Sequence, residues 1–149
     1  MKIALGFDHA GIKRKKLITD YLTENGFEYI DFGTYSEESC NYAEFGEKAA
    51  EAVKSGECDK GILVCGTGIG MSIVANKVPT IRCAHCTDVF SAKATRAHND
   101  ANMLAMGERI TDEETMKEIV DAFLHTEFEG GRHLARIAKI SEVENKYLK

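Results

Sequence analysis

The sequence predicts an α/β fold, a parallel five-stranded sheet wound in both directions and covered by helices on both faces. Two observations carry this reading. Short apolar, β-branched runs alternate with segments of about ten to fifteen residues whose apolar positions recur at helical spacing, the signature of successive βαβ units. At residues 61–76 an apolar run ends in Cys65, glycines follow at positions 66, 68 and 70, and a helix start follows those: strand, glycine loop, helix. The chain has 149 residues, 44% of them hydrophobic, and a single proline, which fits one domain over residues 1–149 with a sizeable core.

Taken in order, Lys2 to Phe7 reads as the first strand, and Asp8-His9-Ala10-Gly11 turns into a helix with Ile12, Leu17, Ile18, Tyr21 and Leu22 on its buried face. Gly26 closes that helix at the position where a left-handed residue is favoured. Lys13, Arg14, Lys15 and Lys16 read as a solvated helix face. Glu28 to Phe32 is a second strand and Gly33 to Asn41 a polar loop. Tyr42 to Ser55 is helical, with Phe45, Ala49, Ala52 and Val53 inward and Gly56 at its end. After the glycine loop come a fourth strand, Ile81 to Cys86, a helix from Asp88 to His98, and a fifth strand, Asn102 to Met106. Thr111 and Glu114 have the spacing of a capping box for a helix through Phe123 or Leu124. The segment from Gly130 carries Arg132, His133 and Arg136 on a helix that ends near Ser141, where another begins.

Charge and composition exclude several classes. The net charge is −5 and the basic residues form no long run, which argues against a nucleic acid or an anionic membrane surface as partner. No apolar run approaches the roughly 20 residues of a membrane span, and no signal-peptide pattern opens the chain. Five cysteines, an odd number in a chain of this size, favour free thiols in a reducing compartment, and a cytoplasmic location is expected. Cys83-Ala-His-Cys86 has metal-motif spacing, but positions three apart on a strand face opposite ways, so no metal is expected there.

The chemistry concentrates on the glycine loop. Glycines admit positive φ and leave no Cβ in the way, so amides can converge on an oxyanion or phosphate at a helix start. Cys65 stands at the lip of that cradle as base or nucleophile, with the Thr67 hydroxyl two residues on; the alternative is a tight turn with a buried cysteine. The loop lacks the Gly-Lys-Ser/Thr of a P-loop and the third glycine of a dinucleotide site. In a sheet of this kind ligands bind beyond the carboxyl ends of the strands, so Asp8 and His9 should meet Cys65 to Gly70 if the first and third strands are neighbours. His98 and Asn99 do not fit that edge. They end a helix running back from it, about 15 Å away, so either they are structural, with Asn99 capping the helix, or they complete the pocket of another copy. Arg132 and Arg136, four apart, could grip a phosphate from one helical face or pair with Glu127 and Glu129 on the surface, and Arg109 is a further phosphate candidate.

Read together, Gly6-x-Asp8-His9-Ala10-Gly11, Cys65-Gly66-Thr67-Gly68-Ile69-Gly70-Met71-Ser72, Ala75-Asn76-Lys77, Asp88-Val89-Phe90-Ser91-Ala92-Lys93, Arg96-x-His98-Asn99-Asp100-Ala101-Asn102 and Gly130-Gly131-Arg132-His133 closely resemble type B ribose-5-phosphate isomerases, in order and over nearly the whole chain. The resemblance implies a Rossmann-like three-layer α/β/α sandwich with a C-terminal helix. It implies a homodimer or homotetramer with a site shared between subunits, a small phosphorylated sugar as substrate, and no metal or other cofactor. It implies interconversion of ribose 5-phosphate and ribulose 5-phosphate through an enediolate, a reaction of the pentose phosphate pathway. By position, Cys65 is the base, Thr67 and His98 open the furanose ring, and the Gly66, Gly68, Ile69 and Gly70 amides cradle the enediolate oxygen. Asp8 and His9 match sugar-hydroxyl and phosphate-side contacts and Tyr42 a substrate contact, Asn99 arrives with His98 from a second copy, and Arg109, Arg132 and Arg136 clamp the phosphate, with His133 beside them. A second branch of the family uses a glutamate base in the helix after the loop; Met71-Ser72 places this chain in the cysteine branch. The rival readings are an isomerase of allose 6-phosphate or galactose 6-phosphate and a non-catalytic phosphosugar or flavin-binding module.

Overall fold

The computed structural model describes residues 1–148; Lys149, the last residue of the expected domain, lies outside the described residues. Among the described residues five strands are formed: β1 (Lys2–Phe7), β2 (Glu28–Asp31), β3 (Lys60–Cys65), β4 (Cys83–His85) and β5 (Met103–Gly107). They make one all-parallel sheet in the order β2-β1-β3-β5-β4. A 3-10 turn over Gly11–Arg14 leads into α1 (Lys15–Glu24), followed by α2 (Tyr42–Lys54), α3 (Ile69–Ala75), α4 (Val89–Asn99), α5 (Glu113–His125) and α6 (His133–Tyr147). Among the described residues no helix is long and apolar enough to cross a membrane.

The two-residue period of the strands sorts the core into two layers. Ile62 and Val64 of β3 join Ile3, Leu5 and Phe7 of β1 against Leu22 of α1 and Phe123 of α5. Leu63 and Cys65 point the other way, with Ala4, Met103 and Ala105, against Ala49 and Val53 of α2 and Met71 and Ala75 of α3. With both faces covered, the strands read as nearly continuous apolar runs, as parallel sheets do. The sandwich is the expected one, with α6 as its C-terminal helix.

Several local expectations are corrected. The fourth strand is shorter than Ile81 to Cys86, because Ile81 N–H turns back to Val78 O at 3.2 Å instead of entering the ladder. Cys83 and Cys86 do pack on opposite sides of the sheet, as their spacing requires. The residue capping α5 is Asp112, in extended conformation with its carboxylate accepting from Thr115 N at 2.7 Å; Thr111 belongs to the preceding turn, its N–H on Gly107 O at 3.0 Å. Asn99 is the last residue of α4, and the left-handed cap is Asp100, φ 46°. Ser141 interrupts nothing: one mid-helix serine costs only a few tenths of a kcal/mol, and the Lys139–Glu142 ion pair at 2.7 Å spans it within a continuous α6. The basic cluster is only half solvated. Lys15 turns in to Asp31 at 2.7 Å, and Arg14 reaches the carbonyls of Glu108 (3.3 Å) and Thr111 (3.2 Å), tying the first helix to the ends of β2 and β5.

Candidate active site

Because β1 and β3 are neighbours, the loops that follow them meet. The approach is close: Asp8 N–H reaches Val64 O at 3.3 Å, and a Cβ on Gly11 would lie 1.9 Å from that same oxygen. Asp8 spends one carboxylate oxygen on the turn, accepting from Ala10 N at 2.9 Å and Gly11 N at 2.7 Å. His9 stands next to it. Its Nδ1 accepts from Cys40 N at 3.3 Å, so the neutral ring carries its hydrogen on Nε2.

Cys65 is the last residue of β3 and is 5% exposed. Gly68 N–H donates to its Sγ at 3.1 Å, a contact that a thiolate accepts better than a thiol. Gly68 precedes α3 with φ +83°, and a Cβ there would sit 2.7 Å from Met106 C, so only glycine fits. Ile69 N–H is taken by Thr67 Oγ1 at 3.3 Å. A helix leaves its first four amides without intrahelical partners; with those of Gly68 and Ile69 engaged, the amides of Gly70 and Met71 are left for an anion. Arg109 lies along the loop, its N–H on Gly66 O at 2.9 Å and its Nη1 3.1 Å from where a Gly66 Cβ would be. Tyr42, the first residue of α2, covers Gly70: a Cβ there would meet its ring at 2.6 Å. Asp8, His9, Tyr42, Cys65, Thr67 and Arg109 are thus gathered at one edge of the sheet, around the glycine loop.

Three of the four other thiols are unsuited to the chemistry. Burial pushes those of Cys58 and Cys83 up, and that of Cys86 up to about 11. Deprotonation at neutral pH is costly for all three.

His98, Asn99, Arg132, His133 and Arg136 form a second group elsewhere. The residues after Asn99 run straight into the start of β5, where Met103 pairs with Gly61, whereas Cys65 pairs with Gly107 at the far end. Four strand residues, about 13 Å, separate the two edges. One chain therefore does not bring His98 to Cys65. Within the second group the His98 and His133 rings stack at 4.4 Å and 17°, and Glu129 Oε2 lies 4.0 Å from His98 Nε2 and 3.4 Å from His133 Nε2. His133 is 4% exposed and its Nε2 has no hydrogen bond among the described residues, so it packs behind His98 rather than beside exposed Arg132 and Arg136 as expected. Near-parallel rings aim their lone pairs along parallel planes, whereas a tetrahedral zinc needs them to converge.

Two residues were missed from sequence. Arg96 is 7% exposed. It donates to Asp100 Oδ1 and Ala101 O, both at 2.7 Å, and to Thr126 O at 3.2 Å, locking the end of α4 that carries His98. His85, noticed only inside the cysteine motif, has its Nε2 2.7 Å from Thr67 O. Its place on the fourth strand was no signal by itself, since strand order was needed to see that β4 and the strand before the loop share β5 as a neighbour.

The Ribose/Galactose Isomerase family matches residues 3–140. A ribose-5-phosphate isomerase B of Escherichia coli is 47% identical over 145 residues, 97% of each chain. The solved structure of Clostridium thermocellum ribose-5-phosphate isomerase B is 55% identical with a TM-score of 0.98, over 99% of this chain and 100% of that one. That of Mycoplasma genitalium ribose-5-phosphate isomerase B with bound ribulose 5-phosphate is 37% identical with a TM-score of 0.92, over 97% of each.

Proposed function

This chain belongs to the ribose/galactose isomerase family, and from that premise we propose how its residues carry out the reaction of an aldose-ketose isomerase, the interconversion of ribose 5-phosphate and ribulose 5-phosphate. Opening the furanose moves one proton off the anomeric hydroxyl and delivers one to the ring oxygen; Thr67 and His98 of the partner subunit are the pair assigned to it. The Cys65 thiolate then takes the proton from C2, the electron pair forms the C1–C2 double bond, and the carbonyl at C1 becomes an oxyanion. Returning the proton to C1, while the hydroxyl on C2 gives up its own to the oxygen on C1, yields the ketose. The free amides of the glycine loop face that oxyanion, donors of a kind worth about 3 to 4 kcal/mol each when removed elsewhere. Tyr42, His9 and Asp8 hold the sugar, and Arg109 together with Arg132 and Arg136 of the partner subunit the phosphate.

The single observation that carries this assignment is the Gly68 N–H on Cys65 Sγ at 3.1 Å, at the mouth of the loop and between Tyr42 and Arg109. The placement of His98 and Cys65 at opposite edges supports a homodimer, or a tetramer built of such dimers, in which each pocket takes His98 and Asn99 from its partner. Five free cysteines support a reducing, cytoplasmic location, and one continuous sheet supports a single working domain.

Proton NMR of ribose 5-phosphate in D₂O tests the base. Wild type is expected to form ribulose 5-phosphate with solvent exchange of the transferred proton, and Cys65→Ala to be slower by about 10² to 10⁴. A Cys65→Ala enzyme turning over near the wild-type rate would sink the assignment.

A further inference from the structure

We propose that His85 is a positioning residue for Cys65, acting through the single peptide unit that stands between them; the proposal rests on the reading of Cys65 as base. That unit joins the Thr67 carbonyl to the Gly68 amide. Its oxygen lies 2.7 Å from His85 Nε2, and its N–H reaches Cys65 Sγ at 3.1 Å. In a trans peptide the C=O and N–H point opposite ways in one plane, so the imidazole and the sulfur hold the two ends of one rigid plate. A carbonyl oxygen only accepts, so Nε2 carries the hydrogen.

This plate needs holding. It is flanked by Gly68, at φ +83°, and glycine leaves rotation about the plate less restricted than any other residue. Rotation would swing the N–H off the sulfur and break that contact. His85 opposes it in two ways. It hydrogen-bonds the oxygen, and its ring packs on Gly68, where a Cβ would lie 2.8 Å from His85 Cδ2. The ring is itself placed by the sheet, since His85 pairs with Ala105 and Cys86 N–H bonds Ala105 O at 3.1 Å. A donor on the oxygen also polarises the peptide and strengthens its N–H.

Peptide-resolved mass spectrometry of iodoacetamide labelling at neutral pH reads the effect at Cys65 itself. His85→Leu, which fills the space without a donor, is expected to slow Cys65 alkylation and kcat by about three- to tenfold, the range of one hydrogen bond, with KM nearly unchanged. His85→Gln, whose amide nitrogen can donate from the same place, is expected to stay within about twofold of wild type. Wild-type labelling and kcat in His85→Leu, or a loss in His85→Gln as large as in His85→Leu, overturns the proposal. Should neither variant fold, a long-range ¹H–¹⁵N spectrum of the wild-type protein decides: a hydrogen on His85 Nε2 is expected, and a bare Nε2 overturns it. If Cys65→Ala remains active, the base assignment falls by itself, and the alkylation comparison still judges His85.

Discussion

Two glycines of the loop separate a backbone constraint from a side-chain one. At Gly68 a methyl group would press on Met106 backbone atoms at 2.7 Å, in a conformation (φ +83°) that costs an alanine about 1 to 2 kcal/mol on its own. At Gly70 it would press on the ring of Tyr42, which is 41% exposed and free to swing away. Gly68→Ala is therefore expected to lower both stability and kcat, because the amide on Cys65 moves. Gly70→Ala is expected to keep the melting temperature and raise KM, because the Tyr42 ring, proposed to hold the sugar, is displaced. Thermal melts and steady-state kinetics on the two variants check this, and equal losses of stability would contradict it. Cys65, Thr67 and the glycines were legible in the sequence because their chemistry is contiguous. His85 was not, since its partner carbonyl is 18 residues away and is reached only across the ladder.

At the scale of elements, strands and helices were legible wherever apolar period and turn residues agreed, and least so at their ends. The start of α5 shows why: Thr111 and Asp112 can both cap, and the turn over Gly107 to Thr111 assigns the role to Asp112. The contact between α1 and α5 contains a polar pair that patterning takes for core alone. Tyr21, counted among the buried-face residues, donates its hydroxyl to Asp121 Oδ1 at 2.5 Å. Burial first, and then this hydrogen bond and the Asp121 charge, push its phenol well above the usual range. The folded chain thus keeps a proton that the unfolded chain releases near pH 10. The associated stability is complete below that pH and is lost as pH rises through the higher folded value. Urea midpoints are expected to fall between about pH 9 and about pH 11 more steeply for wild type than for Tyr21→Phe. Parallel falls would show that Tyr21 carries none of the dependence.

At the scale of the molecule, chain direction decides what one copy can do. A parallel sheet sends each helix back to the amino-terminal edge, so α4 starts near the glycine loop and delivers His98, Asn99 and, across α6, the arginine pair to the opposite edge. The sequence allowed that conflict to be seen, because a helix has a fixed rise per residue. It could not show that Arg96 at the end of α4 reaches Thr126 O, or that His133 packs behind His98, since those contacts join segments separated by loops.

A site shared between subunits is tested most directly by mixing Cys65→Ala and His98→Ala proteins, dissociating and reassembling them, and assaying isomerisation of ribose 5-phosphate. Each variant alone is expected to be nearly inactive. Random reassembly into dimers makes half of them mixed, each with one of its two pockets intact, so about a quarter of wild-type activity should return. No recovery in assemblies shown by mass to contain both variants would contradict the shared site.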